Sequence, residues 1–114
     1  AWVESSVELG AGTVVFAGAV VQSETVIGDH TIINTGALID HDCRVGAHSH
    51  VAPGASIAGG VSLGEGVLMG VGSSVIPQVS IGDWAVIGAG AAVVDDIDPG
   101  NTVAGVPARV LERD

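Results

Sequence analysis

Four histidines are the side chains of this 114-residue sequence best suited to acid–base chemistry: His30, His41, His48 and His50. His41 lies between two carboxylates, Asp40 and Asp42. An imidazole can accept a proton near neutral pH, and an adjacent carboxylate can fix its tautomer and raise its basicity. The pattern favours a general base with an orienting acid at His41. The alternative is a solvent-exposed histidine in an acidic turn.

A six-residue repeat in the sequence indicates the fold that carries these histidines. Every sixth residue from Val3 to Val93 is aliphatic, and the residue four places after each is small or β-branched. A second period of 18 residues is superimposed on the six-residue repeat. The aliphatic residues at 9, 27, 45, 63 and 81 are each followed directly by a glycine. Neither a helix of 3.6 residues per turn nor an alternating strand explains a strict period of six.

The repeat predicts an all-β fold, a single-stranded parallel β-helix. Each hexad supplies one short strand and one corner, three hexads close a triangular coil, and coils stack about 4.8 Å apart. About five coils occupy residues 1–94, and residues 95–114 are predicted to form a C-terminal cap and tail with a turn at Pro99-Gly100. Because the repeat is already in phase at Val3, we expect another domain or a partner to cover that open edge.

The phase of each residue predicts which side chains point inward. The first and fifth places of the hexad fill the interior, so Cys43 in a fifth place is a small buried hydrophobe and not a nucleophile, and any transfer is direct. His30 and His48 occupy fourth places 18 residues apart and should stack as a solvated ladder. The alternative is a metal-binding pair with a third ligand. His50 can bind a substrate carbonyl or cap the turn before Pro53.

Charge and composition exclude several classes of function. Thirteen acidic residues against three basic ones give a formal charge of −10, which disfavours binding to nucleic acid or an anionic membrane. A single cysteine excludes an internal disulfide. The sequence shows neither a signal peptide nor a membrane span, so we expect a cytoplasmic protein.

Several segments together resemble a known family. These are Ile-Asp-His-Asp-Cys (39–43), Ser-His-Val-Ala-Pro-Gly (49–54), Ala58-Gly59-Gly60, Ile87-Gly88-Ala89-Gly90-Ala91 and Gly105-Val106-Pro107-Ala108. They are similar to the hexapeptide-repeat acyltransferases of the sialic acid O-acetyltransferase and nucleotide-amino-sugar N-acetyltransferase group. The resemblance implies a left-handed β-helix, a homotrimer, and acetyl-CoA lying between neighbouring subunits. It also implies direct acetyl transfer to the amine of a nucleotide-linked amino sugar, without a metal.

The resemblance assigns roles to individual residues. His41 resembles the catalytic base, Asp42 its orienting acid and His50 a second active-site histidine near the acetyl group. Asn34 resembles a residue near the acceptor substrate. The remaining assignments are contacts to acetyl-CoA: Gly59, Val71, Ala89 and, for a phosphate, Arg109.

The sequence differs from the family pattern in two respects, and three alternative functions stand beside this interpretation. Relatives usually begin with a small nucleotide-sugar-binding domain, which this sequence lacks, and the acidic chain offers CoA few cations, so we expect modest, salt-sensitive binding. The first alternative is O-acetylation of a sialic-acid-like sugar. The others are a zinc enzyme similar to the γ-carbonic anhydrases and an inactive structural solenoid.

Overall fold

Each hexad forms one two-residue strand and one corner, as the spacing predicts. The structure, a computed structural model, describes residues 1–111, which form a rod of 44 × 22 × 21 Å. Eighteen strands are present in that range, and none of its residues is helical.

The strands form three sheets along the faces of a triangular prism. The first sheet contains β1 (Trp2–Val3), β4 (Val20–Val21), β7 (Leu38–Ile39), β10 (Ser56–Ile57), β13 (Ser74–Val75) and β16 (Ala92–Val93). The second sheet contains β2 (Glu8–Leu9), β5 (Val26–Ile27), β8 (Arg44–Val45), β11 (Ser62–Leu63) and β14 (Ser80–Ile81). The third sheet contains β3 (Val14–Val15), β6 (Ile32–Ile33), β9 (His50–Val51), β12 (Leu68–Met69), β15 (Val86–Ile87), β17 (Thr102–Ala104) and β18 (Arg109–Val110).

Pairing between coils is parallel and in register over 18 residues. Ile33 lies opposite Val51, and Val51 opposite Met69, so the aliphatic first places stack directly upon one another. This one-dimensional stacking is the parallel β-helix that the repeat predicts, and its left hand is the one that the family resemblance implies. The interior is filled by first- and fifth-place residues, of which the largest that are fully buried are Ile27, Ile33, Ile39, Ile57, Met69, Ile81 and Ile87.

The corners share one backbone conformation. Every sixth residue from Gly12 to Gly90 has φ between 54° and 73°, in the left-handed region. We name the corners by their residues. The His41 corner joins the first sheet to the second (4–7, 22–25, 40–43, 58–61, 76–79), and the His48 corner joins the second to the third (10–13, 28–31, 46–49, 64–67, 82–85). The glycine corner joins the third to the first (16–19, 34–37, 52–55, 70–73, 88–91), and all five of its left-handed residues are glycine.

The C-terminal segment extends the prism further than the hexad suggests. Ile97 bridges to Ile81, and Val103 lies opposite Ile87. In both pairs the partners are 16 residues apart in sequence, whereas partners in the earlier coils are 18 apart. The sixth coil therefore omits two residues after β16 and continues to Ala104, inside the segment predicted as a cap. Ile97 and Val103 are six residues apart, so the repeat persists with a shifted phase. Among the strands of residues 1–111, only β18 turns back, antiparallel to β17.

The first coil leaves part of its interior open. Leu9 occupies a first place, yet 44% of its surface is exposed, and Val3, Val7 and Val15 are only partly buried. The equivalent positions from Val21 onward are buried because another coil lies on each side of them.

Candidate active site

His41 lies on a two-residue turn with a fixed main chain. It follows β7, and its N–H donates to Oδ1 of Asp40 at 2.7 Å, while its carbonyl accepts from Gly60 N–H at 3.0 Å. Asp42 N–H donates to the carbonyl of Ser23 at 3.0 Å, which ties the turn to the preceding coil. The turn is thus held from both neighbouring coils, and the side chains of His41 and Asp42 project into solvent with 59% and 63% exposure.

The two side chains form an ion-pair geometry. Nδ1 of His41 lies 2.9 Å from Oδ2 of Asp42. Since an ionised carboxylate only accepts hydrogen bonds, Nδ1–H is the donor and Nε2 keeps its lone pair. A histidine in this tautomer can accept a proton at Nε2, and the carboxylate stabilises the imidazolium that results. The Asp42 conformation, with φ of 56°, is one that aspartate tolerates better than most residues.

A surface pocket of about 460 Å³ lies beside this pair, lined by Asp40, His41, Asp42, Ala58, Gly59, Gly60, Pro77 and Gln78. The Cε1–Nε2 edge of His41 faces Gly59, where an added β-carbon would lie 2.9 Å from both atoms. The basic nitrogen therefore borders the pocket. The sequence interpretation missed the lining residues Pro77 and Gln78, although the 18-residue period places Gln78 two coils above Asp42.

Cys43 is buried directly under the turn, as its phase predicts. Its side chain is fully inaccessible, and Sγ donates to the carbonyl of Ala58 at 3.2 Å. Burial raises the pKa of the thiol, an effect that backbone hydrogen bonds from Val61 and Gly60 partly offset. A protonated, inaccessible thiol is a poor nucleophile.

Asn34 and His50 form a second polar pair. Oδ1 of Asn34 accepts from Thr35 N–H at 2.7 Å, so Nδ2 is the atom that faces Nε2 of His50 at 3.2 Å. Nδ2 can only donate, so Nε2 of His50 accepts and its Nδ1 carries the proton. His50 is thus able to donate a hydrogen bond from Nδ1 to a carbonyl oxygen.

The proposed site residues fall on two corners of the prism. Gly59 lies with His41 and Asp42 at the His41 corner. Asn34, Val71 and Ala89 lie at the glycine corner, next to His50 in β9 of the third sheet. The first sheet separates the two groups. One chain therefore does not bring all of them together. Arg109 lies exposed on β18, and Arg113 lies outside the described residues.

His30 and His48 stack as predicted, at the His48 corner. Their ring centroids are 5.6 Å apart, with 15° between the ring planes. Within residues 1–111 no group of three or more histidine, cysteine, aspartate or glutamate side chains is arranged to hold a metal ion. In the same range no helix is long and apolar enough to cross a membrane.

Comparison with known proteins shows the class of protein. The family described as bacterial transferase hexapeptide (six repeats) matches residues 24–59, and the hexapeptide repeat of succinyl-transferase matches residues 60–94. No curated protein sequence matches the chain significantly. Together the two family matches span more than half of the chain, which belongs to the hexapeptide-repeat acyltransferases.

Several solved structures are similar to this chain over nearly its whole length. The perosamine N-acetyltransferase PerB from Caulobacter crescentus, solved with CoA and GDP-perosamine, is 48% identical over 97% of this chain, with a TM-score of 0.97. The acetyltransferase domain of PglB from Neisseria gonorrhoeae is 44% identical over 96% of it, with a TM-score of 0.96. WeeI from Acinetobacter baumannii is 30% identical over 96%, with a TM-score of 0.91. The chain covers 54%, 54% and 53% of these proteins, about half of their length.

Proposed function

We propose that this chain is the catalytic β-helix of an acetyl-CoA-dependent N-acetyltransferase that acts on a nucleotide-linked amino sugar. The observation that carries the proposal is the His41–Asp42 pair, with Nε2 of His41 at the edge of a 460 Å³ pocket. The similarity to PerB, whose structure contains CoA and GDP-perosamine, supports the choice of both substrates.

The chemistry follows from the hydrogen bonds of His41. Nε2 removes a proton from the acceptor amine as its nitrogen attacks the thioester carbonyl, so that an N–C bond forms and the C–S bond breaks. Asp42 stabilises the imidazolium, and the proton passes from Nε2 to the departing thiolate of CoA. Cys43, the single cysteine of the sequence, is buried, which removes the thiol as a covalent nucleophile and favours direct transfer.

We propose further that the site is completed between copies in a homotrimer. The residues assigned to acetyl-CoA lie on two corners of one chain, and packing the His41 corner of one copy against the glycine corner of the next would unite them. Exposed apolar side chains lie on the first and third sheets and on the glycine corner between them: Trp2, Val14, Phe16, Ile32, Leu38, Leu68 and Val71. On the second sheet the corresponding positions are mainly polar, including Glu8, Arg44, Ser62 and Ser80.

The glycine corner suits an extended ligand. A β-carbon at Gly36, Gly54, Gly72 or Gly90 would meet nothing within 4 Å. The glycine corner is therefore a ridge with open space beside these four residues. A pantetheine arm can lie along such a ridge and reach main-chain groups, with Val71 as an apolar contact and His50 Nδ1 as a donor to the acetyl carbonyl. Arg109 is assigned to a phosphate of CoA.

The proposal places acetyl transfer in this β-helix and leaves selection of the acceptor nucleotide open, because the solved relatives carry about as much chain again. No specific observation favours O-acetylation over N-acetylation. A cytoplasmic location is part of the proposal, because acetyl-CoA and nucleotide sugars are cytoplasmic metabolites.

The first experiment is a calorimetric titration with acetyl-CoA at low and moderate salt, combined with sedimentation to determine the assembly. We expect a trimer that binds one acetyl-CoA per protomer, more weakly as salt rises. Mass spectrometry then measures acetyl transfer to GDP-perosamine, the sugar present in the PerB structure. A folded trimer that binds no acetyl-CoA would contradict the proposal.

A further inference from the structure

A buried hydroxyl lies directly beneath the candidate catalytic turn. Thr25 occupies a fifth place one coil before Cys43 and is fully inaccessible to solvent. Its Oγ1 donates to the carbonyl of Asp40 at 3.0 Å and accepts from the N–H of Cys43 at 3.3 Å. The two main-chain groups that it binds are those immediately before and after His41 and Asp42.

This arrangement matters because His41 and Asp42 are neighbours in sequence. Side chains at adjacent positions of an extended chain point to opposite sides, so their 2.9 Å contact depends on the turn between Asp40 and Cys43. Other bonds also hold the turn, at Ser23, Gly60 and the Asp40 carboxylate. Thr25 alone binds both ends of it with a single atom.

We infer that Thr25 is a positioning residue for His41: its hydroxyl sets the Asp40–Cys43 turn so that Nδ1 of His41 meets the Asp42 carboxylate and Nε2 faces the pocket. The inference rests on the proposed function for its catalytic consequence. Replacing the hydroxyl by a methyl group in Thr25→Val leaves the Asp40 carbonyl and the Cys43 N–H without this partner while keeping the side-chain volume. The turn can then relax, and the imidazole loses its fixed orientation.

Thr31 provides a matched control at another corner. It is equally buried, occupies the next fifth place along the chain, and its Oγ1 donates to the carbonyl of Gly46 at 3.1 Å. Thr31→Val therefore removes the same group from the same kind of site, beneath the His48 corner. A general effect of losing a buried hydroxyl appears in both variants, and a positioning effect appears only in Thr25→Val.

The test compares kcat and KM for the two variants and Thr25→Ser, with acetyl-CoA and GDP-perosamine. We expect Thr25→Val to lower kcat by about 10-fold to 100-fold, as small misplacements of a catalytic group do, with KM for acetyl-CoA little changed. Thr31→Val should stay within about twofold of wild type, and Thr25→Ser, which keeps the hydroxyl, should recover most of the rate.

Equal kinetic effects in Thr25→Val and Thr31→Val would overturn the inference. If Thr25→Val does not fold, Thr25→Ala removes the hydroxyl with a side chain that other fifth places of the repeat already carry, and an unchanged kcat in that variant would overturn the inference equally.

A second readout does not depend on turnover. Nitrogen NMR of the histidine rings reports the Nδ1–H tautomer of His41 and its hydrogen bond to Asp42. Thr25→Val should change the His41 signals and leave those of His30 unchanged, and unaltered His41 signals would contradict the inference. If wild type transfers no acetyl group, the proposed function fails, whereas the NMR comparison still decides the role of Thr25.

Discussion

The imidazole of His41 lies against the main chain of Gly59, one coil further along the prism. A β-carbon at Gly59 would lie 2.9 Å from both Cε1 and Nε2 of His41, closer than such contacts normally are. Gly59 has no left-handed φ that would itself require glycine. The absence of a side chain there therefore serves the ring of His41, and this relationship can be tested directly.

Gly59→Ala should displace the His41 ring and lower kcat with little change in the free energy of unfolding. The physical reason is the contact of the new methyl group with Nε2, the proton-accepting atom. Kinetics and urea unfolding measure the two effects, and a double-mutant cycle with His41→Ala isolates their coupling. Once the imidazole is removed, Gly59→Ala should have no further effect on the rate. Additive effects would show that Gly59 acts independently of His41.

His41→Ala should lower the rate of acetyl transfer by about 10²–10⁴, the usual contribution of a general base. The trimer and the affinity for CoA should be nearly unchanged, because the side chain is exposed and makes no contact with the core. Calorimetry and single-turnover kinetics measure both. His48→Ala, an exposed histidine at another corner, is the control and should keep its rate. Loss of CoA binding in His41→Ala would refute the general-base assignment.

Asp42→Asn tests the charge of the orienting group separately from its geometry. Asparagine tolerates the left-handed conformation at this position and can still accept from Nδ1–H of His41, but it does not stabilise an imidazolium. We expect kcat to fall by about 10-fold, because a hydrogen bond to a charged group contributes roughly 1–2 kcal/mol more than a neutral one. Asp29→Asn, at a carboxylate that accepts from Ala11 N–H on another corner, should leave kcat unchanged. An Asp42→Asn enzyme with the wild-type rate would rule out this role.

Cys43 should make the stability of the fold decrease at alkaline pH. Because burial raises the pKa of the thiol, its stabilising contribution is complete below the ordinary value of about 8.5 and is lost as the pH rises through the folded value. The sequence contains no tyrosine and no lysine, so Cys43 is its only side chain whose ordinary pKa lies between about 8 and 10. Urea unfolding between about pH 7 and pH 10 should show a decrease in wild type and almost none in Cys43→Ala. Equal pH dependence in the two proteins would contradict this account.

Gly66→Ala and Gly72→Ala separate backbone strain from steric contact. Both glycines have a φ of 66°, but a β-carbon at Gly72 would meet nothing within 4 Å, whereas one at Gly66 would overlap the indole of Trp84. We expect Gly72→Ala to cost about 1 kcal/mol from the left-handed conformation and Gly66→Ala to cost more. Thermal or urea unfolding measures the difference, which should disappear in a Trp84→Ala background. Persistence of the difference there would point to a cause other than the indole.

Much of this fold can be predicted from the sequence because, in a solenoid, the place of a residue in the repeat determines its place in the structure. The residue number within the hexad decides whether a side chain is inside, and the 18-residue period decides what lies above it. The burial of Cys43 and the stacking of His30 on His48 were therefore predictable. The coil that ends at Ala104 was missed because two residues are omitted after β16, and the phase of Ile97 shifts with them.

The sequence by itself determined the repeat, the interior and the acidic neighbours of His41, since each of these depends only on periodicity or adjacency. Only the tertiary structure decided which atoms meet. The orientation of the His41 ring, the hydroxyl of Thr25 beneath the turn and the pocket wall at Gln78 depend on left-handed corners and side-chain rotamers in adjacent coils. The same holds for the separation of the assigned residues onto two corners, because corner geometry in three dimensions, and not spacing along the chain, sets which of them share a surface.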